Sequence, residues 1–424
     1  MRSPSSLVRA VPRETVFVVG IVSGSHVVNH MYLVLFPPIL GVLAADFDVS
    51  LAQLGVALGL QAFVNTVMQL PYGHLADARD RTLTLGLCLG VGSLGVLVVA
   101  AAPTFEWVLV GQALLGLGIA GHHPAHFPLL ADATPEATRA RAFSVHGFAG
   151  NLGFATPPVL ITAIVAVPGL TWRHAFGLIG GVGLLYGLVA VGALRRFVSP
   201  SVRIPTRETD QEPSSTVSLR SRLRAGIDSM LAAPGILGLG VFALVASTVM
   251  WGVTTYVVVL LTDGYGLGSG LANLALSASF VVGAGFILVG GDLTDRFSPG
   301  PILVGSYVLV ATFVFALASL VVPPLVAAVC AVLAGSVGSL GMPARDKLAD
   351  ALSARGDVGK NFAVITVGIM VGNTLAAPVF GALIESNGLR TTFGTVGAVA
   401  VLAVLVVGAL VSRVDPDGTE AATA

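Results

Sequence analysis

The sequence predicts an all-α polytopic membrane protein with twelve transmembrane helices in two pseudo-symmetric six-helix bundles. Hydrophobic residues make up 55% of the 424 residues, charged residues only 10%, and the mean hydropathy is +0.90. This composition leaves too little polar surface to cover a soluble protein of that length. Long apolar runs recur along the chain, and short motifs return after half its length. These observations together indicate a duplicated chain that crosses the bilayer many times.

Twelve runs are long and apolar enough to cross a bilayer, which takes about 20 helical residues. The first run follows Arg2, Arg9 and Arg13 and has no small-residue cleavage site, so we interpret it as an uncleaved span rather than a signal peptide. The predicted spans are 16–44, 52–75, 82–101, 105–130, 141–166, 174–194, 234–262, 270–293, 300–320, 323–344, 361–384 and 391–411.

The basic residues indicate how the spans are oriented. With the N-terminus inside, all but Arg173 and Arg390 of the 22 lysines and arginines fall in cytoplasmic segments. Both termini are therefore expected in the cytoplasm. The strong preference for arginine over lysine is typical of a GC-rich prokaryotic genome, so we expect the protein in the inner (cytoplasmic) membrane.

A basic segment separates the two predicted halves. Residues 195–233 contain three prolines and seven arginines and few apolar residues, which is typical of a cytoplasmic linker. The sequence thus predicts an N-terminal bundle over 1–194, a linker over 195–233 and a C-terminal bundle over 234–424. Within the linker, 217–231 fits either a short amphipathic helix on the lipid surface or a disordered basic tether.

A charged, glycine-containing stretch lies between the second and third predicted spans. It runs Pro71-Tyr-Gly-His-Leu-Ala-Asp-Ala-Arg-Asp-Arg81, and we expect a cytoplasmic turn there. A second copy of its Gly-x-Leu-x-Asp core, Gly291-Asp-Leu-Thr-Asp295-Arg296, follows 218 residues later. This spacing in a chain of 424 residues indicates an internal duplication.

The duplication extends into other spans. Pro124 of the fourth span returns as Pro343 of the tenth, 219 residues later, and Gly150-Asn151 of the fifth returns as Gly372-Asn373 of the eleventh. Repeats in the same orientation predict two halves related by an axis along the membrane normal.

These motifs resemble those of a known family. The pattern Gly73-x-Leu75-x-Asp77-x-x-x-Arg81 resembles the signature loop of the major facilitator superfamily. The stretches Ser25-His26-Val-Val-Asn29, His123-Pro124 and Ala149-Gly150-Asn151-Leu-Gly153 followed by Pro157-Pro158 resemble its fosmidomycin-resistance branch of drug efflux proteins. The resemblance implies the major facilitator fold and alternating access. Where that branch carries an aspartate, this chain has His30.

The resemblance also implies a gating role for both copies of the signature stretch, which in this family lock one access state. We expect Asp77 to accept hydrogen bonds at a helix N-terminus, and Arg79 and Arg81 to pair across the cytoplasmic face. The candidate gating residues are Gly73, Asp77, Arg79, Arg81, Gly291, Asp295 and Arg296.

Histidine is the residue type expected to titrate inside the membrane. We place every carboxylate, arginine and lysine in a loop or near the end of a span, whereas six of the eight histidines fall inside or at the edge of spans. His26 and His30, like His122 and His126, are spaced four residues apart, so each pair shares a helix face. In the superfamily that the motifs resemble, the first and fourth spans line the central cavity, so the resemblance implies that both pairs line a water-filled cavity. Each histidine also fits a core residue bonded to a carbonyl. The candidate proton carriers are His26, His30, His122, His123, His126 and His146.

Uncharged polar residues inside spans suit recognition of a small molecule. In the seventh span, hydroxyl and aromatic residues share one face, although simple helix packing accounts for that pattern nearly as well. The candidate substrate-binding residues are Asn29, Gln61, Asn65, Asn151, Trp251, Thr255, Tyr256 and Asn373.

We expect a secondary transporter that exports a small neutral or amphipathic molecule in exchange for protons. His26 and His30 would share one proton, since repulsion would keep both from charging together. A proton- or ion-coupled importer of a small metabolite remains an alternative, and so does a histidine-based metal carrier, although no Cys, Asp or Glu accompanies the histidines. We expect no enzyme, because no nucleophile lies beside a base. The expected partners are substrate, protons and lipid, with no nucleic acid, resident metal or cofactor, and the protein is expected to be a monomer.

Overall fold

A computed structural model describes residues 11–205, 234–352 and 358–412, and these residues form helices and short connections without strands. The suggested amphipathic helix over 217–231 lies outside the described residues. In the first half, the α-helices are α1 (Arg13–Leu33), α2 (Leu40–Phe47), α3 (Leu51–Ala78), α4 (Arg81–Ala101), α5 (Phe105–Ala120), α6 (His122–Ala133), α7 (Glu136–Val165), α8 (Trp172–Phe197) and α9 (Pro200–Arg203). In the second half, they are α10 (Pro234–Val259), α11 (Ser269–Arg296), α12 (Pro299–Ser319), α13 (Pro324–Ser336), α14 (Met342–Ala351) and α15 (Val358–Val411).

Eleven helical stretches of the described chain are long and apolar enough to cross a membrane. The last of them, Phe362–Val411, bends at Gly388, whose φ of 76° is open to glycine but strained for other residues. Each part on either side of Gly388 is long enough to cross about 30 Å of hydrocarbon at about 1.5 Å per residue. The helices therefore agree with the predicted all-α membrane fold and its twelve spans.

The signature stretch is helical for most of its length, so the prediction of a turn over 71–81 was wrong. Helix α3 continues through Pro71 to Ala78, and only Arg79 and Asp80 connect it to α4. The side chain of Asp80 accepts a hydrogen bond from the backbone N–H of Thr82 and so caps α4. The helix persists because Leu75, Ala76 and Ala78 favour helix and the end of a span can extend beyond the bilayer.

Two spans are interrupted at matching places in the repeat. In the fourth span, α5 ends and α6 begins around Gly121, just before Pro124. In the tenth span, a 3-10 segment over Val337–Gly341 separates α13 from α14, just before Pro343. Proline lacks an N–H donor and so is tolerated in the first turn of a new helix. Both spans therefore restart a helix inside the membrane segment.

Grouped by packing, the described residues form two compact units. Unit 1 contains those of Met1–Leu33, Val64–Phe154 and Arg173–Arg207. Unit 2 contains those of Val34–Phe63, Ala155–Trp172 and Glu208–Ala424, and so takes stretches from both predicted halves. The division into 1–194, 195–233 and 234–424 stays a prediction.

Unit 2 is held by close helix packing and by buried hydrogen bonds. Helices α10 and α15 pack along their lengths around an apolar core that includes Phe242, Leu239 and Val407. The Tyr256 hydroxyl donates to the carbonyl oxygen of Ala377 at 2.6 Å, and Ser277 Oγ donates to that of Ala155 at 2.6 Å. Each bond satisfies a hydroxyl that would otherwise be buried without a partner.

Candidate functional site

Unit 1 contains a cluster of histidines, which we call the histidine cluster. It brings together α1, α6 and α7, and neighbouring rings lie with their centroids between 4.0 and 6.2 Å apart. The cluster consists of the six predicted proton carriers, His26, His30, His122, His123, His126 and His146. The structure thus joins residues that the sequence assigned to three separate spans.

The predicted i, i+4 pairs both exist as ring contacts. The centroids of His26 and His30 lie 4.0 Å apart on α1, and those of His122 and His126 lie 4.2 Å apart on α6. His146 comes from α7 and stacks on His26 at 4.1 Å with an interplanar angle of 11°. Helix spacing predicted the pairs, whereas the stacking of His146 depends on how α7 packs against α1.

The hydrogen bonds of His26 and His30 fix where their protons lie. Nδ1 of His26 donates to the carbonyl oxygen of His146 at 2.9 Å, and Nδ1 of His30 donates to that of Gly150 at 3.0 Å. A carbonyl oxygen only accepts, so each Nδ1 must carry a hydrogen. A neutral imidazole has one N–H, and in the neutral form both Nε2 atoms would therefore be bare acceptors.

These two Nε2 atoms face each other at 2.9 Å, the length of a hydrogen bond. Two bare lone pairs at that distance repel, whereas one added proton between them makes an N–H···N bond with a charge of plus one. The 2.9 Å contact thus fits an N–H···N hydrogen bond better than two bare lone pairs, and a role of the pair in carrying a proton stays a prediction.

Glycines on α7 allow the helices to approach closely enough for this arrangement. A Cβ on Gly150 would lie 2.5 Å from Cε1 of His26 and 2.9 Å from Nδ1 of each of His26 and His30. A Cβ on Gly153 would lie 2.5 Å from the carbonyl oxygen of Val27. Any larger residue would push α7 away from α1, so these glycines position the pair.

His122 extends the hydrogen-bonded part of the cluster. The Ser25 hydroxyl donates to the carbonyl oxygen of Val22 at 2.8 Å and is 3.0 Å from Nε2 of His122. Because the hydroxyl has one hydrogen, Nε2 of His122 must be the donor to Ser25 Oγ. Nδ1 of His122 is then a buried acceptor, and it has no partner among the described residues.

His126 and His146 are buried, and neither ring nitrogen of either side chain has a hydrogen-bond partner in the described parts of the chain. Leaving a buried polar atom unpaired costs about 1–3 kcal/mol, so such atoms need an explanation. Their rings lie beside those of His26, His122 and His123, and a role in passing protons between these rings stays a prediction.

The expectation that both pairs line a water-filled cavity is wrong for most of the cluster. His26, His122, His126 and His146 are buried, and only His30 and His123 keep partial exposure. Small residues on α7 and the close packing of α1 against α6 cover the rings. The cluster is therefore an enclosed network rather than a wet surface.

Three members of the cluster are also close enough to hold a metal ion. Ligand atoms of His26, His30 and His123 all lie within 4.8 Å of one another. Imidazole nitrogen is a ligand that Zn²⁺, Cu²⁺ and Ni²⁺ accept.

The candidate gating residues behave differently in the two copies. Arg81 is buried, and its Nη1 contacts Asp132 Oδ2 at 2.5 Å and the carbonyl oxygen of Val202 at 2.9 Å. In the second copy, Arg296 pairs with Asp292 at 2.7 Å on an exposed helix face. Asp77, Arg79 and Asp295 make no ion pair within the described ranges, and Cβ atoms on Gly73 and Gly291 would meet nothing within 4 Å. The expected pairing thus holds for Arg81 alone.

The candidate substrate-binding residues are divided between the units. Unit 1 contains Asn29, Asn65 and Asn151, and unit 2 contains Gln61, Trp251, Thr255, Tyr256 and Asn373. Asn151 donates to the carbonyl oxygen of Gly147 at 3.1 Å, and Tyr256 is buried with its hydroxyl bonded to backbone. A role for these residues in binding substrate stays a prediction.

Arg345 was not among the predicted site residues, yet it lies inside a candidate span, Pro324–Ala351, and lines a cavity in unit 2. The hydropathy window ended the tenth span at 344, one residue before Arg345, whereas the span in the structure continues to Ala351. The signal was present in the repeat, because Arg345 follows Pro343 by two residues as His126 follows Pro124.

Comparison with known proteins gives the same assignment over the whole chain. A model of the Major Facilitator Superfamily matches residues 22–327 and 239–424. The Fosmidomycin resistance protein of Escherichia coli (strain K12) is 25% identical over 302 residues, which cover 70% of this chain and 69% of that protein. The MFS-type transporter YfnC of Bacillus subtilis (strain 168) is 31% identical over 182 residues, which cover 41% of this chain and only 43% of that protein.

Solved structures show the same fold. A bacterial homologue of the human lysosomal transporter Spinster, in an inward-facing and occupied conformation, superposes with a TM-score of 0.75 over 96% of this chain and 99% of that one. The sequences are 17% identical, so this likeness concerns the fold alone.

Proposed function

This chain belongs to the major facilitator superfamily, and from that premise we propose that it is a proton-coupled exporter of a small amphipathic or neutral molecule. The family and its transporter relatives make the chain a multi-pass membrane transporter rather than an enzyme. Proton coupling, direction and substrate form the proposal. We further propose an inner-membrane location with both termini cytoplasmic, where the basic residues would lie.

The contact between Nε2 of His26 and Nε2 of His30 at 2.9 Å supports the coupling. Both Nδ1 atoms are donors to carbonyl oxygens, so this contact stabilises the pair when it holds one proton and destabilises it when the proton leaves. Loss of the proton would thus favour a different packing of α1 against α7. A ligand that binds one conformation better than another shifts the equilibrium between them, and here that ligand is the proton.

The remaining histidines would connect the pair to the solvent. His126 and His146 lie beside His26 and have ring nitrogens without a partner in the described part of the chain, and His123 is partly exposed. A proton could pass along these rings without requiring a carboxylate.

The proposal is tested with transport in everted membrane vesicles, with fosmidomycin as the probe because a relative is named for resistance to it. An imposed pH gradient should drive labelled fosmidomycin into vesicles containing the unaltered chain. His30→Asn should abolish that accumulation and retain exchange of labelled for unlabelled probe, because exchange needs no net proton movement. His74→Asn, which removes a histidine outside the cluster, is the matched control.

Equal gradient-driven accumulation by the unaltered chain, His26→Gln and His30→Asn would contradict the coupling. Accumulation in right-side-out vesicles instead of everted ones would contradict export. Absence of any accumulation by the unaltered chain would remove fosmidomycin as the substrate.

A second candidate function is a histidine-based metal carrier, favoured by the approach of His26, His30 and His123 within 4.8 Å. Two nitrogens on a tetrahedral Zn²⁺ at about 2.0–2.1 Å would lie about 3.3 Å apart. The observed 2.9 Å between the Nε2 atoms fits a shared proton better. Metal analysis of the purified, tag-free protein distinguishes the two: one equivalent of bound metal that is lost in His123→Asn would favour the carrier.

A further inference from the structure

Unit 2 contains a cavity whose lining includes none of the histidine cluster. We propose that this cavity binds a small amphipathic acid, with its carboxylate at Arg345 and its apolar body against the cavity wall. The proposal deepens the proposed function, on which it rests, by naming the class of transported molecule.

The size of the cavity limits the ligand. Its volume is about 140 Å³, and an apolar cavity of about 150 Å³ is known to hold benzene. The wall is mainly apolar and includes Phe242, Met250 and Val310. A ligand with a body of about the size of one benzene ring therefore fits.

The polar groups of the cavity are few and convergent, as in small-molecule sites. Besides Arg345, they are the hydroxyls of Tyr307, Ser247 and Ser339. Ser247 Oγ donates to the carbonyl oxygen of Ile369 at 2.8 Å, whereas the Tyr307 hydroxyl has no hydrogen-bond partner among the described residues. The Tyr307 ring is held edge-on to Phe242 at 5.0 Å and 79°. Tyr307 can therefore donate to a ligand from a fixed position.

Arg345 has donors to spare. Its side chain is only 17% exposed, and Nε and Nη2 both contact one oxygen, Oδ1 of Asp346, at 2.9 and 2.7 Å. A guanidinium has five N–H donors in a planar fork that matches a carboxylate. Nη1 has no hydrogen-bond partner within the described ranges. Since Asp346 is 46% exposed, it can turn to solvent and leave the guanidinium to a second carboxylate.

The cavity extends to the interruption of the tenth span. Gly338, Ser339, Gly341 and Met342 line it where the 3-10 segment ends and α14 begins. The N–H of Met342 already donates to the carbonyl oxygen of Ser339, and Pro343 has no N–H, so these first two residues of α14 offer a ligand no free backbone donor. The preference for an anion therefore depends on the guanidinium of Arg345.

The apolar wall and the single cation together select the ligand class. A neutral apolar molecule would leave Nη1 of Arg345 and the Tyr307 hydroxyl without an acceptor among the described residues, and an inorganic anion would leave the apolar wall uncovered. A monocarboxylate with a ring-sized apolar body satisfies both. Benzoate is the simplest probe of this kind, and benzamide is its uncharged counterpart of the same shape.

The experiment is calorimetric titration of the full-length protein in lipid nanodiscs with benzoate and with benzamide. Benzoate should bind with one site per chain and benzamide at least about tenfold more weakly, since a hydrogen bond between charged groups contributes about 1.5–3 kcal/mol. Arg345→Gln should weaken benzoate by about tenfold or more and leave benzamide unchanged. Asp346→Asn should tighten benzoate, because it removes the competing carboxylate.

Arg390→Gln is the control, since it removes the same charge from an exposed position of α15 in the same unit, outside the cavity lining. Each variant is used only if it gives a single symmetric chromatographic peak. Benzoate affinity should fall in Arg345→Gln and rise in Asp346→Asn, whereas a loss of folding would lower it in both, so the two variants distinguish loss of the site from loss of folding. Equal binding of benzoate and benzamide, or unaltered benzoate binding in both Arg345→Gln and Asp346→Asn, would overturn the inference. Coupling through His26 and His30 is measured separately, so failure here and failure of the proton mechanism are distinguishable.

Discussion

The fourth and tenth spans break their helices at the same place in the repeat and then diverge. After Pro124 the fourth span continues with Ala125 and His126, and after Pro343 the tenth continues with Ala344 and Arg345. His126 is fully buried among other imidazoles in unit 1. Arg345 lines a cavity in unit 2 and contacts the carboxylate of Asp346. The same interruption of the helix thus precedes two different basic residues, a histidine and an arginine.

The difference follows from what burial demands of each group. Imidazole can be buried neutral and charged briefly, because its unperturbed pKa is about 6.5. A guanidinium stays charged at all relevant pH values and needs a counter-ion inside a membrane protein. Among the described residues, the structure provides a carboxylate beside Arg345 and none within the histidine cluster. This difference agrees with the two proposals, a proton that binds and leaves in the first half and a fixed charge that binds an anion in the second.

The largest effect on stability is expected when the two basic residues are exchanged, by His126→Arg and Arg345→His. His126→Arg places a permanent charge in a buried site without a carboxylate and should lower the free energy of unfolding by about 3–5 kcal/mol. Arg345→His should cost much less, since Asp346 can turn to solvent. Unfolding titrations in detergent micelles measure both. Similar losses for the two variants would show that the sites do not differ in the way proposed.

Two glycines of α7 can be compared, one that packs against the histidine pair and one that does not. Gly150→Ala places a methyl group 2.5 Å from the His26 ring and should cost about 1–3 kcal/mol of unfolding free energy and most of the gradient-driven transport. Gly147→Ala lies one turn earlier, where a Cβ meets nothing within 4 Å, and should stabilise by up to about 1 kcal/mol. Denaturation and vesicle transport report the two effects. The role assigned to Gly150 would be contradicted if both substitutions changed the unfolding free energy in the same direction.

The two copies of the signature stretch provide the smallest test. Arg81→Gln removes a buried contact with Asp132 and the carbonyl oxygen of Val202, and it should cost about 1–3 kcal/mol. Arg296→Gln breaks an exposed i, i+4 pair and should cost less than about 0.5 kcal/mol. Thermal unfolding in detergent measures the loss of stability in each of the two variants. Equal losses would remove the case for a structural lock at the first copy alone.

Much of this architecture could be predicted from the sequence because it depends on local patterns. Hydropathy predicted the spans, although α15 joins the last two around Gly388. The spacing of four residues predicted that His26 and His30 share a face, as the structure confirms. Burial of the histidine cluster could not be predicted, because it depends on glycines of α7 that allow α1 to pack closely against that helix. His146 joined the cluster for the same reason.

Arg345 was missed because a sliding hydropathy window responds to average polarity. The run Pro343 to Asp350 contains several charges, so the window ended the span at 344, whereas α14 continues to Ala351. Helix propensity and packing continue past the point where mean hydropathy falls. Alignment of the two halves on Pro124 and Pro343 would have identified Arg345 as the counterpart of His126.

The shared proton is the central claim, and ¹⁵N NMR of the protein labelled at histidine tests it most directly. As the pH is lowered in lipid, the unaltered chain should develop two rings with protonated Nδ1 and a scalar coupling between their Nε2 atoms, which reports a hydrogen bond between those nitrogens. His30→Asn should remove the coupling, and His74→Asn should leave it unchanged. Two rings without coupling between their Nε2 atoms at every pH at which the protein stays folded would contradict the account.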